Sequence, residues 1–164
     1  MKLRKKKNQS GFTLIELLVV IILVTILAAV GIPLLTANIQ RAIATEASAS
    51  LSMVRTGMRA WFAEHATYED PNNVGNPPTL TQIGIKQPVA GPPRTPGDLD
   101  GRYFSTEVYS IPAFTVTTFC AAVDGGNASN VAVRAGDVTA MDRSMNQDGT
   151  IFSDLACTAG KELN

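Results

Sequence analysis

The chain of 164 residues is poor in the side chains from which catalytic and metal sites are built. It contains one histidine, His65, and two cysteines, Cys120 and Cys157. A catalytic triad or a histidine-rich metal centre around a single histidine would need unusual partners. Two cysteines are too few for a structural zinc site, and no phosphate-binding glycine loop or nucleophile elbow occurs. The sequence therefore predicts no catalytic residue.

Charge is almost absent from a long N-terminal segment. Between Gly11 and Arg41 the only charged residue is Glu16, and residues 17–35 are interrupted only by one threonine, one glycine and Pro33. A helix of that length, rising about 1.5 Å per residue, approaches the ~30 Å thickness of a hydrocarbon core. The segment predicts a transmembrane helix, since a buried helix of a soluble protein is rarely so apolar beside a basic terminus.

The first ten residues contain no acidic side chain but five lysines or arginines. Such a basic leader favours a cytoplasmic N-terminus, with the remainder crossing outward. An ordinary signal peptide has its cleavage site after the apolar region. Here Gly11 precedes that region, so cleavage there would leave the helix on the mature protein. The pair Ala28-Ala29 imitates a conventional site, but the apolar run continues past it.

Removal of such a leader changes the balance of charge. The whole chain has 14 basic and 14 acidic residues, and the leader contains five of the basic ones. The remaining 153 residues have nine basic and fourteen acidic side chains, a formal charge of −5. This balance argues against direct binding to a nucleic-acid backbone through a basic surface.

From residue 36 to residue 66 the apolar residues recur every three or four positions, as on one face of a helix. We therefore expect one helix of about fifty residues, half in the membrane and half laid against a small domain. Met58, Trp61 and Phe62 are expected to form core contacts, and His65 to pack or cap at the helix end. The residues on this face are Ile39, Ile43, Ala47, Leu51, Val54, Met58, Trp61, Phe62 and His65.

Residues 67–102 hold seven of the nine prolines and five glycines, which predicts a long loop without regular structure. Alternating patterns follow, rich in β-branched and aromatic residues, and they predict an antiparallel sheet of three or four strands packed on the helix. Pro112 is expected to mark a break or an edge. The predicted strands are 104–111, 113–123, 130–134, 138–142 and 150–153.

Residues 144–151 resemble the first half of a calcium loop, because oxygen-bearing side chains alternate before Gly149. Asn146, Asp148 and the nearby Asp154 are the candidate ligands, but Leu155 stands where the last acidic ligand is expected. A hairpin turn explains the same residues without a metal. We prefer the turn, and the calcium site remains the alternative.

Both cysteines lie on the side of the membrane segment that is expected to be exported, where oxidising conditions favour a disulfide. A bond between Cys120 and Cys157 would close a loop of nearly forty residues. The chain-entropy model credits such a loop with about 4 kcal/mol. Two free buried thiols are the alternative.

The N-terminal pattern resembles that of type IV prepilins and the related pseudopilins. The resemblance rests on Gly11–Leu18, Ile26–Val30 and Ile32-Pro33, and it covers roughly the first third of the chain closely. It implies that a prepilin peptidase cuts after Gly11 and that the new amino group of Phe12 is N-methylated. It further implies that Glu16 pairs with the amine of a neighbouring subunit during assembly, and that Pro33 bends the helix.

The resemblance implies an α+β pilin-like fold with three parts: a leader, residues 1–11; a membrane and filament-core helix, 12–35; and an exported domain, 36–164. The implied partners are neighbouring pilins, the peptidase, and an assembly ATPase acting through a platform protein in the bacterial inner membrane. We expect a type IV pilus subunit for adhesion or motility, without a cofactor. A pseudopilin of a type II secretion system and a membrane-tethered binding domain remain the alternatives.

Overall fold

The computed structural model of the chain describes residues 12–89, 92–93, 95–125 and 141–163. One long helix precedes a four-stranded antiparallel sheet, which confirms the predicted α+β fold. The elements are α1 (Leu14–His65), a short 3-10 helix (Thr106–Val108), β1 (Tyr109–Phe114), β2 (Phe119–Val123), β3 (Arg143–Asn146) and β4 (Ile151–Phe152).

The chain divides into two compact units, Met1–Ile39 and Gln40–Asn164, and α1 contributes residues to both. The helix has 52 residues, so the expected single helix of about fifty is confirmed. It continues through Pro33 without interruption. In the first unit the large apolar side chains from Phe12 to Leu35 are all exposed, and the least exposed of these, Leu18, is still 45% accessible.

In the second unit one face of α1 forms the centre of the hydrophobic core. Its large apolar side chains recur every three or four residues and are almost completely buried, as predicted. The prediction that Ile39 belongs to this buried face is wrong. Its side chain is 41% exposed, because the core begins one turn later, at Ile43. The core residues of α1 are Ile43, Ala47, Leu51, Val54, Met58 and Trp61.

The sheet has the order β1-β2-β3-β4, with each strand antiparallel to the next. All five residues of β2 are buried. β1 lies at an edge, and its register shifts between Ser110 and Ala113. Pro112 falls at this shift. Pro112 was expected to mark a break or an edge, and it lies in an edge strand. An irregularity in an edge strand tolerates proline, which has no backbone N–H to donate.

Three details of the sheet differ from the sequence prediction. The strand expected at 104–111 begins only at Tyr109, because buried residues before it form the 3-10 helix. The run expected as one strand over 113–123 is a hairpin, since the Thr115 hydroxyl accepts the Thr118 N–H in a tight turn. The strand Arg143–Asn146 was not predicted. The strand expected at 130–134 and most of that at 138–142 lie outside the described residues.

The described part of segment 67–102 contains no helix or strand of more than one residue, only an isolated bridge between Val89 and Thr95. Carboxylates that accept hydrogen bonds hold it in place instead. Asp70 accepts hydrogen bonds from the Gln82 side-chain amide and from the Asn72 backbone N–H, and these bonds hold the pKa of Asp70 below its usual value. Side-chain acceptors thus replace a regular backbone ladder in this loop.

Glu46, on α1, attaches the end of this loop to the helix. Its carboxylate accepts the backbone N–H groups of Tyr103 and Phe104, each at 2.9 Å, and that of Arg102 at 3.1 Å. A Cβ atom at Gly101 would collide with the same carboxylate. Because Phe104 is fully buried, its N–H needs a partner inside the protein, and Glu46 provides it.

We expect Glu46→Gln to lower the free energy of unfolding by about 2 kcal/mol, and Glu46→Ala by more. The two carboxylate oxygens of Glu46 accept three backbone N–H groups. In glutamine an NH2 group replaces one of these oxygens, and that group cannot accept a hydrogen bond. Urea denaturation of the full-length protein in detergent measures the change. Glu64→Gln, on the exposed surface of the same helix, is the matched control and should change stability by less than about 0.5 kcal/mol. Equal stability of Glu46→Gln and the original chain would contradict the role assigned to Glu46.

Tyr109 is buried at the start of β1, and its hydroxyl oxygen makes no hydrogen bond of good geometry in the described structure. Burial raises the pKa of Tyr109 to about 12, although Ser50 lies close enough to oppose the rise. The folded state therefore holds this proton more tightly than the unfolded state, whose tyrosine ionises near pH 10. Stability from this group is complete below pH 10 and is lost as the pH rises towards 12.

We expect Tyr109→Phe to raise stability at pH 7 by about 1 kcal/mol, since it removes a buried hydroxyl without a partner. It should also remove an alkaline loss of about 2–3 kcal/mol between pH 10 and 12. Urea midpoints measured across this pH range test both effects. Tyr103→Phe, at a half-buried tyrosine, should leave the alkaline loss in place. An unchanged loss in Tyr109→Phe would refute the assignment.

Candidate assembly site

Thr13 and Glu16 form a capping box at the start of α1. The Thr13 hydroxyl accepts the Glu16 N–H at 3.4 Å. One oxygen of the Glu16 carboxylate accepts both the Thr13 N–H and the Thr13 hydroxyl, each at 2.8 Å. Two of the N–H groups that a helix start leaves unpaired are therefore satisfied reciprocally. Within a single chain the Glu16 carboxylate has local partners.

Thr13 is the residue of this site that the sequence reasoning missed. The signal was present, because a threonine three residues before a glutamate at the start of an apolar run is the capping-box pattern. The prepilin resemblance drew attention to Glu16 as a group for a neighbouring subunit. The structure adds that the same carboxylate begins its own helix.

Glu16 is exposed, and its neighbours on the surface of the helix are apolar. Phe12, Ile15, Val19 and Val20 line a shallow groove beside it, and Phe12 is 84% exposed. By length and composition α1 is able to cross a membrane. A charge at such a position is costly at bilayer depth, which makes the local hydrogen bonds from Thr13 valuable there. Gly11, the predicted cleavage residue, lies outside the described residues.

Pro33, the other residue predicted to act in assembly, lies inside α1 together with Gly31. Added bulk at Gly31 would meet no atom within 4 Å in the single chain. The proposed bend at Pro33 during filament packing stays a prediction.

The predicted disulfide between Cys120 and Cys157 is confirmed. The two Cα atoms are 6.0 Å apart, and the bond joins strand β2 to the C-terminal segment. The backbone N–H of Cys157 also donates to the Ser144 hydroxyl on β3 at 3.1 Å. Two adjacent strands thus hold the C-terminal segment in place.

The calcium candidates Asn146 and Asp148 lie at the turn between β3 and β4. The Asn146 side-chain oxygen accepts the N–H groups of Asp148 at 3.0 Å and Thr150 at 2.9 Å. Gly149 has a φ of +92°, which favours glycine at this position. The arrangement is that of an Asx-type turn, in which the side-chain oxygen serves the backbone.

Asp154, the third calcium candidate, begins the C-terminal segment. Hydrogen bonds from Thr158, together with the Ala156 N–H, hold the pKa of Asp154 below its usual value. Its carboxylate also accepts a 3.4 Å hydrogen bond from Ser144. Over the part of the chain that the structure describes, no group of three or more His, Cys, Asp or Glu is placed to hold a metal ion.

We expect the double change Cys120→Ser and Cys157→Ser to lower the free energy of unfolding by about 4 kcal/mol, from the entropy of the closed loop. Urea denaturation with and without dithiothreitol measures the effect. The reductant should destabilise the original protein to the level of the double variant and leave that variant unchanged. If dithiothreitol did not change the stability of the unsubstituted protein, the stabilising role assigned to the disulfide would be wrong.

Comparison with known proteins finds similarity to pilins, as the N-terminal sequence predicts. Residues 6–32 match the family described as the prokaryotic N-terminal methylation motif. The chain is 38% identical over 76 residues to the type IV major pilin protein PilA of Myxococcus xanthus (strain DK1622). That alignment covers 46% of this chain and 34% of the relative, so the chain spans about a third of the relative's length. No solved structure matches significantly.

These findings agree with the geometry. The matched motif ends at residue 32 and contains Thr13 and Glu16, the two residues of the capping box. The helix that follows and the sheet of the second unit have the layout expected of a pilin-like subunit. The chain therefore carries a prokaryotic N-terminal methylation motif and is similar over less than half of its length to a type IV major pilin.

Proposed function

We propose that this protein is a structural subunit of a type IV pilus, cleaved after Gly11, N-methylated at Phe12 and polymerised into a helical surface filament for adhesion or motility. The observation that supports this most strongly is the uninterrupted exposure of the apolar side chains of residues 12–35. Such a surface requires an apolar environment. The bilayer supplies it before assembly, and the stems of neighbouring subunits supply it afterwards.

Glu16 gives the assembly its register. A charged side chain at bilayer depth costs roughly 2.5 kcal/mol or more when it lacks a partner. Thr13 supplies hydrogen-bond donors to Glu16 but no positive charge. Cleavage after Gly11 creates that charge at the Phe12 amine, and N-methylation preserves it. Pairing of Glu16 with the amine of a neighbour neutralises both charges in one geometry, which favours a single offset between stems.

The remaining steps follow from the order of the segments. The basic leader keeps residues 1–11 in the cytoplasm while residues 36–164 are exported. The peptidase removes the leader at the inner membrane, and an ATPase acting through a platform protein drives polymerisation. Pro33 lets the stem bend as it packs. In this proposal the protein acts by assembly and not by catalysis, and it requires no cofactor.

The first test determines the intact mass of the protein in sheared surface filaments and in the membrane fraction. We expect a species beginning at N-methylated Phe12 that is abundant in the sheared fraction. The same species confined to the envelope would favour a pseudopilin of a type II secretion system. A processed protein that stays solitary in the membrane would favour a tethered binding domain. An intact leader in both fractions would refute the proposal.

Variants at Glu16 test the mechanism. We expect Glu16→Gln to be cleaved normally but to yield at least ~tenfold fewer filaments, because the amide cannot neutralise the neighbour's amine. Glu16→Asp keeps the charge with a shorter reach and should retain part of the assembly. Filament yield and leader removal are measured on the same cells by shearing and immunoblotting. Normal filaments from Glu16→Gln would exclude charge pairing as the source of register.

A further inference from the structure

The exported unit contains a basic pocket beside the turn between β3 and β4. Its volume is about 470 Å³, and it is open to solvent. Two arginines one helical turn apart on α1 form one wall. The side chains that matter here are those of Arg55, Arg59, Phe62, Tyr68, Gln147 and Asp148.

Arg55 is held in a fixed orientation. Its Nε donates to the Gln147 backbone carbonyl at 2.7 Å. Its guanidinium also lies against Gly149, where a Cβ atom would be 3.4 Å from the Arg55 Cζ. Among the described residues the terminal nitrogens of this guanidinium donate no hydrogen bond. With Nε engaged, the edge formed by the two terminal nitrogens remains and is suited to bidentate binding of a carboxylate.

Arg59 is exposed and forms neither a hydrogen bond nor an ion pair with any residue that the structure describes. Two like charges four residues apart on a helix repel each other. Asp148 also lines the pocket, but it makes no ion pair with either arginine within the described residues. An incoming anion would relieve the repulsion between Arg55 and Arg59 and bind through charge-assisted hydrogen bonds.

The rest of the pocket suits the same ligand. Burial raises the pKa of Tyr68, more than Arg59 and Arg55 lower it, so its phenol remains a neutral hydrogen-bond donor at physiological pH. The Gln147 side-chain oxygen is buried and has no hydrogen-bond partner among the described residues. Phe62 offers an apolar wall to the carbon stem of an acidic side chain.

We propose that this basic pocket binds an acidic side chain of a second copy of this chain, so that it joins exported units along the filament. The inference rests on the proposed function. Residues 40–164 contain thirteen acidic and nine basic side chains, so a neighbouring copy presents an excess of carboxylates. A helical filament is built from heterologous contacts, in which one surface meets a different surface of the next subunit. A basic pocket on an acidic unit meets that requirement.

The sharpest test identifies the partner chemically. The variant Arg59→Lys places an amine in the pocket, and a carbodiimide then couples it to any carboxylate within ion-pair distance. Sheared filaments of this variant are treated, separated and digested, and the joined peptides are found by mass spectrometry. We expect covalent dimers in which position 59 is joined to an acidic residue of another copy. The original protein is the control, because a guanidinium does not couple.

Coupling only to Asp148 of the same chain, or only to a different protein, would overturn the inference. So would the absence of any coupling at position 59 while the native lysines in the same filaments react.

A charge reversal tests whether the contact matters for assembly. We expect Arg59→Glu to reduce the yield of sheared filaments about tenfold, while the stability of the subunit in detergent stays unchanged. Lys86→Glu makes the same change of charge on an exposed loop and should leave the yield at the original level. Filaments from Arg59→Glu in normal amount would refute the pocket and leave the pilus proposal standing. An original protein that forms no filaments would refute both.

Discussion

A helix that is apolar on every side over residues 14–35 has no stable place in water, and this constraint governs the rest of the chain. Burying one large aliphatic side chain is worth about 1.5–3 kcal/mol. Summed over this segment, that exceeds the 5–15 kcal/mol by which a typical domain is stable. The apolar surface of this helix therefore requires an apolar environment, which in the proposed function lipid provides first and neighbouring subunits provide later. Hydrogen bonds from Thr13 lower the cost of its one carboxylate, Glu16, but they do not neutralise its charge.

The second unit, Gln40–Asn164, depends on the same helix for a different reason. Its strands are short, and β4 has only two residues, so the sheet offers little stability of its own. The face of α1 that begins at Ile43 supplies the apolar surface on which the strands pack. Glu46 fixes the loop to that helix through backbone N–H groups, and the disulfide fixes the C-terminal segment to β2. Without the helix these separate pieces would have no common core.

Features that depend on periodicity along the chain were predictable from the sequence. The 52-residue helix follows from an uninterrupted apolar run and then from a buried face with the helical period. The disulfide follows from two cysteines in a segment that the sequence predicts to be exported. Features that depend on short turns or distant partners were not predictable. The Thr115–Thr118 turn contains no glycine, asparagine or proline, and β3 is polar enough to resemble part of a calcium loop.

The candidate site shows the same division. The capping box of Thr13 and Glu16 is a local pattern, and the sequence contained its signal. The basic pocket depends on a hydrogen bond from Arg55 to Gln147, which lies 92 residues later in the chain. No local sequence pattern predicts such a long-range contact.

The two kinds of charged group in this chain have different consequences for assembly. Glu16 and Glu46 are satisfied by N–H groups of their own chain, so within a single subunit they act in folding. Arg55 and Arg59 lie beside each other in the basic pocket, and within the described residues neither forms an ion pair with a carboxylate. In the proposed filament, these local acceptors would complete the fold of one subunit and leave its arginines available to a neighbouring subunit.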